Sequence, residues 1–170
     1  MRPIKFKAQK QCDGQWVAGD FARSLDGKLH ILGFVEEEGR MGFTGAYQII
    51  PDTIGQFTGF TDKNGKEIYE GDVLRSDEYP YSGFKDGERD AYHAIVYYWP
   101  DVARFMTVAA KNPASDARGV SDGILDDVER KKMKTFEVIG NIHDPEWKQY
   151  RKYFQTEEER EAASWLTPKN

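Results

Sequence analysis

His143 stands beside Asp144, a pairing in which a carboxylate could orient an imidazole for proton transfer. Asp144 also sits just ahead of Pro145 and Glu146, where a helix N-cap explains the pair without catalysis. His30 and His93 lie inside strand-like runs, where an imidazole more often packs or hydrogen-bonds than ligates a metal. The carboxylates come in runs: Glu36-Glu37-Glu38, Asp126-Asp127 and Glu157-Glu158-Glu159. Acid–base chemistry needs two carboxylates held in one cleft with separated pKa values, whereas adjacent ones mark solvated faces, helix starts or loop tips. There is no phosphate-binding loop, no dinucleotide glycine fingerprint, no HExxH and no CxxC. These residues define no catalytic set, no metal site and no cofactor site. The expectation is a protein that is not an enzyme.

Binding chemistry has better material. Tyr79, Tyr81 and Phe84 stand among Arg75, Lys85 and Arg89 in the polar stretch 75–91. Exposed aromatics interleaved with cations can stack on bases or grip a peptide. A second group is Trp147, Tyr150 and Phe154, spaced i, i+3 and i+7, which would form one apolar stripe on a helix. Such a stripe suits self-association into a homo-oligomer.

The elements that must carry these residues are written largely by turns. Asp13-Gly14, Asp26-Gly27, Asn64-Gly65, Asp86-Gly87 and Asp122-Gly123 are Asx-Gly pairs, which favour type I′ hairpin turns. The runs between them are strand-like: 4–8, 15–18, 21–25, 28–34, 53–60, 66–74, 91–99, 103–110 and 134–142. Short strands at this spacing predict a mainly β, antiparallel barrel-like domain over 1–143, with 75–91 as an exposed loop or hairpin. Asp144, Pro145 and Glu146 open a predicted C-terminal helical extension over 144–170, packed on or near that domain.

Charge and composition narrow the partners. The chain has 170 residues and a formal net charge of -5, which opposes non-specific attraction to nucleic acid or anionic lipid. Aromatics make up 14% of the chain, more than disordered sequences carry. Cys12 is the single cysteine, which suits a reducing compartment. The basic start lacks an apolar segment behind it, and no apolar run reaches membrane-spanning length. A cytoplasmic location is expected, with no membrane partner.

The stretch 56-QFTGFTDKNGKEIYEGDVL-74 resembles the YopX protein family. Supporting blocks are Ile4 to Ala8, Ala94 to Tyr98, and Phe136 to His143 running into Asp144-Pro145-Glu146. The resemblance spans roughly 4–147, densest at 56–74 and 136–146, and departs from the family pattern at 75–91, 111–133 and the C-terminal segment. It implies a phage or prophage origin and a β-barrel core, and it brings no activity, no catalytic residues and no cofactor. The combined expectation is a phage accessory protein acting as a binding or assembly module for an unknown host or phage protein. Two alternatives stand behind it: a single-stranded nucleic-acid-binding barrel, and a cryptic hydrolase using His143, Asp144 or surface carboxylates.

Overall fold

The computed structural model describes residues 3–37, 40–77, 91–100, 103–111, 121–124 and 134–153. It is mainly β, and the strand registers resolved among the described residues are antiparallel. The chain divides into two compact units, Met1–Phe60 with Glu67–Glu70, and Thr61–Lys66 with Gly71–Asn170. Among the described residues no helix is long and apolar enough to cross a membrane.

The first sheet has the order β4-β3-β2-β1-β5-β6. Its strands are β1 (Phe6–Gln9), β2 (Trp16–Arg23), β3 (Leu29–Glu37), β4 (Arg40–Gln48), β5 (Gly55–Thr61) and β6 (Glu67–Tyr69). The core of this unit gathers Ala8, Ile31 and Ile49, with Phe6, Val17, Leu29 and Ile54 packed against them. Gly19 keeps β2 unbroken through the core, because a Cβ there would lie 2.0 Å from the Leu32 carbonyl oxygen. At the far ends of β1 and β4 the sheet curls on itself. Ile50 N–H donates to Gln9 O and Gln11 N–H to Gln48 O, flanking a lone Lys10–Ile49 bridge. One bridge is not a ladder, so among the described residues the barrel-like domain predicted over 1–143 is not a closed barrel.

Beside the core, Glu67 ties β6 to Lys5, the residue just before β1. Its carboxylate accepts from Lys5 Nζ and Tyr69 Oη, both at 2.6 Å. Burial alone would push this carboxyl up, but the Lys5 and Tyr69 hydrogen bonds outweigh it and hold the pKa below the usual carboxylate value. A depressed folded pKa adds stability above the unfolded value, and that stability is lost as pH falls through the folded one. In thermal melts from pH 7 down to about pH 3, spanning a glutamate's ordinary value of about 4.3, Glu67→Gln is therefore expected to lose less stability than the parent chain.

The second sheet has the order β10-β9-β8-β7-β11. It is built from β7 (Asp72–Ser76), β8 (Tyr92–Trp99), β9 (Arg104–Lys111), β10 (Ser121–Ile124) and β11 (Glu137–Asn141). Its core centres on Val73, Ile95, Val108 and Ala110. The β-branched run of β8 supplies part of it: Ala94, Ile95 and Val96 are all fully buried.

Several expectations change at the level of local chemistry. The hairpin turns at 24–28 and 62–66 close through Gly27 N–H to Ser24 O and Gly65 N–H to Asp62 O. Only the glycines take positive φ, +82° and +81°. Type I′ needs two such residues, so these are type I turns with a left-handed glycine bulge. Asp122-Gly123 is not a turn at all, since it lies inside β10 at a register shift against β9. The predicted C-terminal helical extension is also absent from the described residues. Trp147 N–H bonds to Asp144 O and Tyr150 N–H to Trp147 O, the i to i+3 pattern of a 3-10 segment, which continues over Lys148–Tyr153. Residues 154–170 lie outside the described residues, as does Asp86-Gly87.

Candidate binding surface

The β3–β4 ribbon is the feature that fold construction leaves least explained. Pairing runs from His30↔Gln48 through Gly33↔Gly45, shifts register, and resumes at Phe34↔Phe43 out to Glu37↔Arg40. Thr44 is the extra residue of this bulge. Gly45 takes φ +151°, and the Tyr47 ring lies over Gly33, where a Cβ would come within 2.9 Å of it. Tyr47 in turn donates its hydroxyl to Thr44 O and carries the Lys10 ammonium 5.6 Å from its ring centre. An aromatic ring covering paired glycines protects backbone that no side chain of their own would shield.

Beyond the bulge two phenylalanines face outward together. The rings of Phe34 and Phe43 sit 5.7 Å apart and tilted, a favourable aromatic geometry, yet they are 42% and 62% exposed. Strand alternation puts Leu32 on the same face as Phe34, and the register sets Ala46 opposite Leu32. Val35 is 40% exposed on the other face of the ribbon. Ala46 also borders a wide-open depression of about 340 Å³ with Gln11, Cys12, Tyr47 and Gln48. Among the described residues, the large exposed apolar side chains of this unit also include Ile4, Phe21 and Leu25, and those of the other unit are Tyr98 and Trp99. Contiguous exposed apolar surface is what marks a contact site on a soluble protein.

The acidic residues of 56–74 have a different use. Asp62 is 6% exposed, and its Oδ1 accepts the Asn64 and Lys66 N–H groups at 2.8 and 2.9 Å. Its Oδ2 accepts the Val138 N–H at 3.0 Å. Lys63 N–H donates to Phe136 O, and the Lys63 ammonium pairs with Glu137 at 2.9 Å. A few residues on, Asn141 Nδ2 donates to Asp72 Oδ1 at 3.0 Å, while Ile142 N–H reaches Gly71 O. The stretches 61–72 and 136–142 are thus stitched to each other, and their carboxylates are hydrogen-bond acceptors for backbone and amide groups.

The histidines are engaged as well. Asp144 Oδ2 accepts the Asn141 N–H at 2.8 Å and so holds the turn after β11. His143 Nδ1 is bonded to Arg151 Nη2, and Arg151 Nε donates to Ile142 O at 3.0 Å. Guanidinium only donates, so this imidazole nitrogen is an acceptor and carries no proton. His93 Nδ1 lies 3.1 Å from the Tyr150 hydroxyl, and its ring meets the edge of Trp147. His30 sits half-buried in β3 opposite Ala22. Among the described residues no group of three His, Cys, Asp or Glu side chains is placed to hold a metal ion.

Of the residues singled out for binding, Trp147 and Tyr150 are half-buried against the core of their own unit. Phe154 lies outside the described residues, as do Tyr79, Tyr81 and Phe84. The stretch Gly119-Val120-Ser121-Asp122-Gly123 has the G-x-S-x-G spacing of a nucleophile elbow, with serine at the third position. That motif needs its serine at a strand-to-helix turn, whereas Ser121 opens β10 paired with Val108. The ribbon also escaped the sequence reading. Its signal was the pattern Phe34-Val35 and Phe43 on either side of Glu36-Glu37-Glu38-Gly39-Arg40, an apolar pair around a charged tip.

Comparison with known proteins places the chain. A sequence profile described as YopX protein matches residues 5–146. Among solved structures the chain is similar to protein EF1440 from Enterococcus faecalis, at 21% identity and a TM-score of 0.46, covering 84% of this chain and 95% of that one. No curated protein matches.

Proposed function

Because this chain belongs to the YopX protein family, we propose that it is a phage or prophage accessory protein that works in the bacterial cytoplasm as a non-enzymatic binding module. The observation that carries the binding assignment is the Phe34–Phe43 pair, two touching rings left 42% and 62% exposed at the outer part of a β-ribbon. The signature carboxylates Asp62 and Asp72 support it from the other side. Both are committed to hydrogen bonds inside the fold, which removes them from acid–base work.

The test is capture from nuclease-treated host lysate by the tagged full chain and by Phe34→Ser/Phe43→Ser. The double variant is expected to lose captured protein by at least about tenfold, as hot-spot aromatics do when truncated. Equal capture by both chains would remove the ribbon from the binding surface. Capture that disappears only on nuclease treatment would favour the single-stranded nucleic-acid reading instead.

A further inference from the structure

Resting on the binding reading above, we propose that the outer edge of β4 takes up an extended segment of a partner protein as an added strand. β4 stands at the end of its sheet, and among the described residues only its C-terminal end has a second neighbour. There Lys10 bridges Ile49, Gln11 N–H donates to Gln48 O, and Ile50 N–H donates to Gln9 O. That neighbour then turns away. Residues 11–13 form a turn, closed by Gly14 N–H to Lys10 O and Lys10 N–H to Gln15 O, which leads into β2. The second ladder therefore stops at Gln48. The depression lined by Gln11, Cys12, Ala46, Tyr47 and Gln48 opens where its next residues would lie.

The backbone specifies what fits this edge. Successive residues of a strand turn their N–H and C=O groups to opposite sides. Gln48 O faces outward to Gln11, whereas Ile49 N–H faces inward to Leu29 O. Ala46 lies two residues before Gln48 with no register shift between them, so its N–H and C=O face outward as well. A donor and an acceptor presented at strand spacing are matched by another extended backbone. The side chains add a preference. The bulge at Thr44 brings Phe43 and Ala46 onto one face, with Phe34 and Leu32 across from them. An added strand lays every second side chain on that face beside the two exposed rings, which suits apolar residues at alternate positions.

The test titrates a short peptide of alternating valine and threonine into the isotope-labelled full chain, up to millimolar concentration. Beside it run two copies, one N-methylated at every valine and the other at every threonine. The unmethylated peptide is expected to slow amide exchange at Ala46 by at least about tenfold, as a new backbone hydrogen bond does. One methylated copy should bind like it and the other should not, because one edge of the added strand faces β4. Ala46→Pro removes the outward N–H, which an edge strand tolerates, so it should stay folded and lose the peptide. Ala46→Ser keeps that N–H and should bind as the parent does. The methylated peptides read the same contact without any change to the chain. The proposal is overturned if exchange at Ala46 is unchanged at millimolar peptide, or if both methylated copies behave alike. A dimer in light scattering that Ala46→Pro dissociates overturns it too, since the occupant would then be a second copy. Lysate capture separates the two readings. Capture kept by folded Ala46→Pro but lost by Phe34→Ser/Phe43→Ser ends the edge assignment alone, and capture that ignores both ends the binding reading.

Discussion

Asp62→Ala should unfold markedly more easily than the parent chain. The carboxylate holds three backbone N–H groups, two within its own turn and one on β11. Hydrogen bonds to an ionised acceptor contribute more than neutral ones, and a donor stranded in the interior costs about 1–3 kcal/mol by itself. The Val138 N–H is such a donor, since Asp62 and Val138 are both buried, at 6% exposure each. The expected loss is about 3 kcal/mol or more, which for a chain of this size lowers the thermal midpoint by roughly 6–12 °C. Asp62→Asn keeps one oxygen for the turn but can turn its NH₂ toward the Val138 N–H, so its midpoint should fall between the two. Circular-dichroism melts of the three proteins check the order.

Gly140→Ala is the second large effect, and its cause is steric. A Cβ at this position would lie 2.2 Å from Trp147 Nε1 and 2.5 Å from its Cδ1, closer than any real contact. The indole must move, and it is packed against His93, Tyr150 and the Val73 cluster. Displacing it sacrifices part of that burial, an expected cost of about 2–3 kcal/mol. Because Tyr150 and Arg151 lie in the 3-10 helix that follows Trp147, and Tyr150 N–H bonds to Trp147 O, amides of 142–151 should exchange faster in the variant than in the parent. Unchanged exchange there would mean the indole has another way to settle.

These two residues show why the sequence was informative about architecture and poor on function. Asx-Gly pairs and β-branched runs act locally, so β1, β3, β5, β8 and β9 could be read from neighbours along the chain. The strand β4 could not. It carries Gly42 and Gly45, which lower strand propensity, and it is stabilised by a register bulge and the Tyr47 ring lying across Gly33. β2 read as two pieces because Gly19 interrupts it, although the close approach of Leu32 O is the reason glycine stands there. The stripe of Trp147 and Tyr150 was legible as spacing, since residues three apart share a face in a 3-10 turn as well as in an α-helix. What lay opposite that face was not legible. His93 is fifty-odd positions away in the chain, and its hydroxyl partner Tyr150 is a long-range contact. Carboxylates looked similarly ambiguous until their acceptor roles were visible, because acid, cap and surface charge share one letter in a sequence.

The division of labour between a hydrogen-bonded framework at Asp62 and a contact surface at Phe34 and Phe43 reduces to one side-by-side measurement. The parent chain, Asp62→Asn and Phe34→Ser/Phe43→Ser are compared for capture from nuclease-treated lysate, at a temperature where melts show all three folded. Asp62→Asn should capture like the parent despite its lower midpoint, while the double phenylalanine variant stays folded and captures only background. The reverse pattern, capture lost with Asp62 and kept without the two rings, would contradict it.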